Sequence, residues 1–176
     1  MLASVHTKKK KIVVSKTVHP ESREVLKTYA KGQYIDVVEV PVADGVTDLD
    51  ALRQTVCENT AAVIVQYPNF FYRIEPLKDI EPIAHQGKSM FIVSANPLAL
   101  GLLTPPGKFQ SDIVVGDARL SAFLQHTAFR IAAFFAVTKK LMRKVPLPSR
   151  RTNGRRKRKK RLCAYPASQG ARYPPG

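Results

Sequence analysis

Few side chains in this sequence are arranged to do covalent chemistry. His19, His85 and His126 form no HxxxH or HExxH pair, so a helix-borne zinc site lacks its ligands. Cys57 and Cys163 stand far apart with no CxxC, which argues against a zinc site and a disulfide framework and fits a reducing cytosol. Cys57, on a helical face, reads as a small buried hydrophobe rather than a nucleophile. There is no P-loop, no GxGxxG and no G-x-S-x-G elbow. What remains is a set of polar residues, each following an apolar run: Tyr67 and Asn69 around Pro68, Ser94 and Asn96 before Pro97, and Asp117 after Gly116. Such groups can line a ligand site, and a carboxylate can pair with a cationic ligand atom. The same groups equally serve turns, by satisfying backbone or staying solvated, so both roles stand open for each.

The elements that must hold these residues are punctuated clearly. Lys11–Ser15 is a β-branched strand, and a helix starts after His19-Pro20, with Val25, Leu26, Tyr29 and Ala30 at helical spacing as far as Gly32. His19 is placed to cap or pack at that helix start. Residues 35–40 form a second strand, followed by the turn Ala43-Asp44-Gly45 and a helix carrying Leu49, Leu52 and Val56, with Thr47 and Asp50 as a variant capping box. A third strand over 61–66 precedes a helix over 74–86 that Pro82 should bend, Gly87 ends and His85 suits as a C-terminal cation. Residues 90–93 and 113–115 are two further apolar strands, separated by the Pro- and Gly-rich stretch 97–107. Strands alternating with helices predict an α/β fold, a three-layer, mainly parallel sheet. In such sheets ligand chemistry gathers beyond the carboxyl ends of the strands, where Tyr67, Asn69, Ser94, Asn96 and Asp117 fall.

Charge divides the chain in two. The 176 residues carry 29 Lys+Arg against 13 Asp+Glu, a net +16, yet residues 1–118 balance 13 basic against 13 acidic residues. All of the excess lies beyond Asp117, the last acid. A hydrophobic fraction of 44% suits a packed core and excludes a wholly disordered chain. The N-terminus, MLASVHTKKKK, has no apolar h-region with a cleavage site, so no secretory signal is read there.

Several tracts, taken in order, resemble one family: Val14-Ser-Lys-Thr-Val-His-Pro20, Val63-Ile-Val-Gln-Tyr-Pro-Asn-Phe-Phe71, Phe91-Ile-Val-Ser-Ala-Asn-Pro97 with Leu100-Gly-Leu-Leu103, and Ser111-Asp-Ile-Val-Val-Gly116. They look like the P-protein of the glycine cleavage system, in the alpha-type subunit of its two-subunit form, as a fragment. The resemblance implies the large domain of the aspartate-aminotransferase-like pyridoxal-phosphate (PLP) fold. It also implies decarboxylation of glycine on PLP, transfer of the aminomethyl group to the lipoyl arm of the H-protein, and a beta-type partner subunit holding the cofactor covalently. In cofactor-binding relatives an Asp paired with the pyridinium nitrogen precedes a Gly-Ala-Asn-like tract; here Val93 stands at that position, before Ser94-Ala95-Asn96. That agrees with what the resemblance implies, a Schiff-base Lys in the partner, and the chain alone is expected to be inactive. A departure falls at Tyr72-Arg73, where the family usually has Gly and a small apolar residue.

The resemblance lapses over 119–133, returns over 134–146 and is lost over 147–176. That pattern suggests compensating frameshifts in the coding DNA. Read at face value, the run Arg155-Arg-Lys-Arg-Lys-Lys-Arg161 gives an alternative function, a basic tail that binds nucleic acid by neutralising phosphates, though with little aromatic interleaving. A membrane span over 120–138 is disfavoured by Gln125, His126 and Arg130, since a central Arg costs roughly 2.5–3.5 kcal/mol on insertion scales.

Overall fold

A computed structural model describes residues 2–117, 133–142 and 144–145. In chain order the elements are α1 (Leu2–Thr7), β1 (Lys11–Ser15), α2 (Pro20–Lys31), β2 (Asp36–Val40), β3 (Val42–Ala43), β4 (Val46–Thr47), α3 (Leu49–Thr55), β5 (Thr60–Tyr67), α4 (Leu77–Gln86), β6 (Met90–Ala95), β7 (Ile113–Asp117) and β8 (Ala133–Val137). Two 3-10 turns, Ala99–Gly101 and Pro106–Phe109, lie between β6 and β7.

Six strands form one sheet in the order β2-β1-β5-β6-β7-β8. The first five run parallel, and β8 lies antiparallel to β7 with Gly116 opposite Phe134. Side chains alternate between the two faces, as the period of a strand requires. Val13, Val63, Val65, Phe91, Val93 and Val114 point to one side, where Leu52 of α3 and Leu77, Ile80 and Ile83 of α4 cover them. Ala62, Met90 and Ile113 point to the other side against Ala3 of α1, and Ile12 meets Ala30 of α2 there. Helices thus sandwich the sheet, giving the expected three layers and mainly parallel strands.

Local chemistry sets the boundaries. α2 opens on His19, whose Nδ1 accepts from Glu21 N at 3.3 Å, and Pro20 sits where a missing N–H costs nothing. One local expectation is extended and two are corrected. The turn at 43–45 is the tip of a small hairpin, β3 with β4, made possible by Gly45 at φ +80°. The cap of α3 is Asp48, whose Oδ1 accepts from Asp50 N and Ala51 N, rather than Thr47, which is drawn inward. α4 starts at Leu77 instead of Ile74 because Pro76 steers the residue before it away from helical geometry. It continues through Pro82, which lies on the exposed side.

Gly116 leaves no room for a side chain. A Cβ there would overlap the carbonyl oxygen of Ala95 and the ring of Phe134, so glycine is what lets β8 lay Phe134 across β7.

Candidate functional site

The strand order reverses between β1 and β5: the chain leaves β1 for β2 on one side and returns to β5 on the other. A crevice at the carboxyl ends of those strands is where an open parallel sheet places its ligand chemistry. Four segments meet there: residues 15–19 after β1, the hairpin 42–47, residues 67–76 after β5, and residues 95–100 after β6.

A buried polar network occupies this edge. Thr47 Oγ1 donates to Ser15 Oγ at 2.8 Å, Ser15 Oγ and Thr17 Oγ1 are 2.8 Å apart, and Thr17 N donates to Ser15 Oγ at 3.2 Å. Thr47 N donates to Glu75 Oε2 at 3.1 Å, and Asn69 Nδ2 donates to Glu75 Oε1 at 2.9 Å and to Gly45 O at 2.8 Å. Asn69 Oδ1 accepts from Phe71 N at 3.0 Å and Arg73 N at 2.9 Å. Ser15, Thr17, Thr47, Asn69 and Glu75 are each at most 2% exposed, so nearly every polar atom of the cluster finds its partner inside the protein.

Outside this network the same edge shows apolar surface. His19 meets Phe70 edge-to-face at 5.0 Å between ring centroids, and Phe70 meets Phe71 at 5.7 Å. Phe70 and Phe71 are 41% and 50% exposed, and Leu98 and Leu102 also stand in solvent. Tyr72, the departure noted above, has φ +60°, a left-handed conformation that glycine adopts without strain.

The five singled-out residues take different places. Tyr67 is buried at the end of β5, its ring in the core and its phenol pushed up in pKa by burial. Asn69 turns inward, as described. Ser94 is half-buried in β6 and paired with Gln66 and Val115, on the opposite face from Val93. Asn96 is exposed, with Oδ1 accepting from Leu98 N at 3.0 Å and its carbonyl from Leu100 N. Asp117 is exposed at the end of β7, opposite Ala133. They therefore share one edge of the sheet and stand in a row along β5, β6 and β7. Glu75 went unnoticed in the sequence, and neither Thr17, inside a family-like tract, nor Thr47, read as a helix cap, was assigned to a buried cluster. Ser15-Lys-Thr17 after an apolar run was a visible cue for part of the cluster; nothing near Glu75 marked it as buried.

Val93 is fully buried and brings no ionisable group to the position where a cofactor-pairing acid is expected. Glu75, the buried acid among the described residues, is already engaged with Thr47 and Asn69. Among the described residues no group of three or more His, Cys, Asp or Glu is placed to hold a metal ion. Cys57 corrects another expectation. It is exposed just past the end of α3, because that helix stops at Thr55. A hydrogen bond with Thr60, a backbone N–H at Asn59 and nearby Lys11 lower its thiol pKa. Among the described residues no helix is long and apolar enough to cross a membrane, and residues 133–137, within the apolar stretch 120–138, form β8. The basic run 155–161 and His126 lie outside the described residues.

The opposite, amino edge of the sheet carries charge instead. A shallow depression of about 420 Å³, lined by Lys27, Lys31, Tyr34, Ile35, Asp36 and Val37, opens there, away from the crevice. His85 bridges Glu81, at 2.6 Å from Nδ1, and Asp112, at 3.2 Å from Nε2. Lys9 Nζ donates to Gly87 O and Lys88 O, and Lys11 Nζ to Thr55 O, placing ammonium groups at the C-terminal ends of α4 and α3.

The architecture is that of the aspartate-aminotransferase-like class expected from the sequence. A NifS-like protein (TM-score 0.53, 21% identity, 66% of this chain and 34% of that one) and SspA in complex with cysteine (TM-score 0.53, 17% identity, 65% and 34%) share the fold. The chain belongs to the glycine cleavage system P-protein family, whose model matches residues 1–155. It is 88% identical over 146 residues, 83% of its length, to a Bacillus subtilis protein named "Probable glycine dehydrogenase (decarboxylating) subunit 1", and 61% identical over the same number to a Geobacillus protein of that name. Both alignments cover 33% of the relative, so the chain spans about a third of the length of the curated relatives it matches. A crystal structure of glycine decarboxylase (P-protein) of the glycine cleavage system, in inhibitor-bound form, aligns with TM-score 0.74 and 34% identity over 82% of this chain and 32% of that one.

Proposed function

We propose that this chain is a portion of the alpha-type subunit of glycine dehydrogenase (decarboxylating), acting in the cytoplasm on glycine together with a beta-type subunit and the lipoyl H-protein. The observation that carries this reading is the 88% identity to a protein named as subunit 1, over 146 residues, 83% of this chain. Pyridoxal phosphate, the cofactor the reading implies, supplies an electron sink for loss of the carboxyl group when bound. The described residues do not offer the acid that would pair with its ring nitrogen: Val93 brings no carboxylate to that position, and Glu75 is committed elsewhere, which supports a cofactor held by the partner. The partner subunit is therefore assigned the cofactor and its lysine. This chain contributes the facing half of the site, with Tyr67, Asn69, Ser94, Asn96 and Asp117 as the residues proposed to line or shape it.

The direct test is glycine decarboxylation by the purified chain, alone and with the second subunit and H-protein. No turnover is expected from the chain alone; carbon dioxide release without the partner would overturn the assignment. The reading also keeps residues 1–118 as the large-domain core and treats 119–133 and 147–176 as displaced reading frames. Translation of the other two frames is expected to yield a glycine-rich family tract across 119–133.

A further inference from the structure

We propose that Glu75 is the positioning residue of the carboxyl edge, fixing the aromatic face of His19, Phe70 and Phe71 by holding the loop that carries it. This rests on the reading above, in which that edge meets the partner subunit.

Glu75 has an unusual place for an acid. It is 2% exposed, and among the described residues its carboxylate forms no ion pair; it accepts from one backbone N–H and one side-chain amide. Burying a carboxylate without a cation is costly, so its geometry has a use that an apolar residue would not serve. The two oxygens face two different segments. Oε2 takes Thr47 N at the end of the hairpin, and Oε1 takes Asn69 Nδ2 at the root of the loop. Asn69 in turn binds Phe71 N and Arg73 N through Oδ1, and Asn69 N donates to Arg73 O at 2.9 Å, so the loop is closed around one side chain. Phe70 N donates to Thr17 O at 2.8 Å, setting the Phe70 ring against His19. Contacts therefore run unbroken from Thr47 through Glu75 and Asn69 to the exposed rings.

The carboxylate is what the arrangement requires. Glutamine keeps the volume but has one oxygen, so either Thr47 N–H or the Asn69 amide would face an NH2 group instead of an acceptor. Glu75→Gln thus releases one end of the clamp while leaving the packing intact.

Chymotrypsin reports the outcome in the full chain, because it cuts after Phe70, Phe71 and Tyr72 once the loop opens locally, and after Tyr29 and Tyr34, which are exposed on and just after α2. For Glu75→Gln, cleavage at 70–72 is expected to rise about tenfold relative to cleavage at Tyr29 and Tyr34. An equal rise at all sites, or no change in the ratio, overturns the proposal. Should Glu75→Gln not fold, Glu75→Asp keeps the charge but is one methylene too short to reach both Thr47 N and the Asn69 amide, and the same ratio decides. A second measurement is titration against the purified second subunit, where Glu75→Gln is expected to bind about fivefold more weakly than the unsubstituted chain and unchanged affinity counts against the proposal. If the unsubstituted chain does not bind that subunit at all, the functional reading fails, and the cleavage ratio still decides whether Glu75 positions the loop.

Discussion

The two ends of the sheet solve the same problem in opposite ways. At the carboxyl end, polar groups are withdrawn from water and satisfied by one another: Ser15, Thr17, Thr47, Asn69 and Glu75 are all nearly inaccessible. At the amino end, the fastening is done by charges that face solvent, with Lys9 and Lys11 on helix carbonyls and His85 between two carboxylates. Desolvated hydrogen bonds are directional and hold loops in one geometry, whereas solvated charges tolerate movement and respond to salt and pH. The end with the rigid network is also the one that presents exposed aromatic rings.

That contrast can be broken first at Glu75. Replacing it by Ala leaves Thr47 N and the Asn69 amide without an acceptor in a dry environment, and a loss of roughly 2–4 kcal/mol is expected by denaturant titration. A loss below about 0.5 kcal/mol would mean that water reaches this network as readily as the amino edge. Gly116→Ala comes next, at roughly 1–3 kcal/mol, since the new methyl must displace Phe134 or the backbone of β6; thermal unfolding of that variant measures it.

A smaller effect sharpens the other side of the comparison. Burial disfavours the charged form of His85, but hydrogen bonds and attraction from Glu81 and Asp112 outweigh it, and the pKa is raised above its ordinary value near 6.5. The folded pKa exceeds the unfolded one, so the contribution is fully present below pH 6.5 and lost as pH rises through the raised value. The side chain is 33% exposed, and solvent screening keeps the effect to about 1 kcal/mol or less. Stability measured from pH 5.5 to 8.5 should fall more steeply for the natural chain than for His85→Ala, and 1 M salt should narrow the gap; parallel curves would remove His85 from the account. Tyr72→Gly should have the smallest effect. Tyr72 is 93% exposed and left-handed, so relief of strain and the added freedom of the unfolded chain nearly cancel, leaving a gain of about 0.5 kcal/mol. A clear loss of melting temperature would show that the Tyr72 side chain has a structural role.

Much of the scaffold was readable from residue types. The β-branched runs at 11–15, 61–66 and 113–115 became β1, β5 and β7, because buried parallel strands need apolar side chains on both faces. The polar residues singled out at the carboxyl ends of β5, β6 and β7 do lie at that edge, although Tyr67, Ser94 and Asp117 belong to the strands themselves rather than to the loops after them. What escaped was long-range pairing. Glu75, between Ile74 and Pro76, looks like surface, and its burial depends on an N–H at Thr47, 28 positions away. Cys57 was misplaced because helical spacing continues through Val56 while the helix itself ends at Thr55. The family departure at Tyr72 was visible; its backbone consequence was not.

β8 pairs with β7 over five positions, Ile113 with Val137 through Asp117 with Ala133, and the Phe134 ring rests on Gly116. Shape sets that alignment. A slip of one residue would press the ring onto the Cβ of Val115 or Asp117, so the antiparallel edge strand has a single seating on its neighbour.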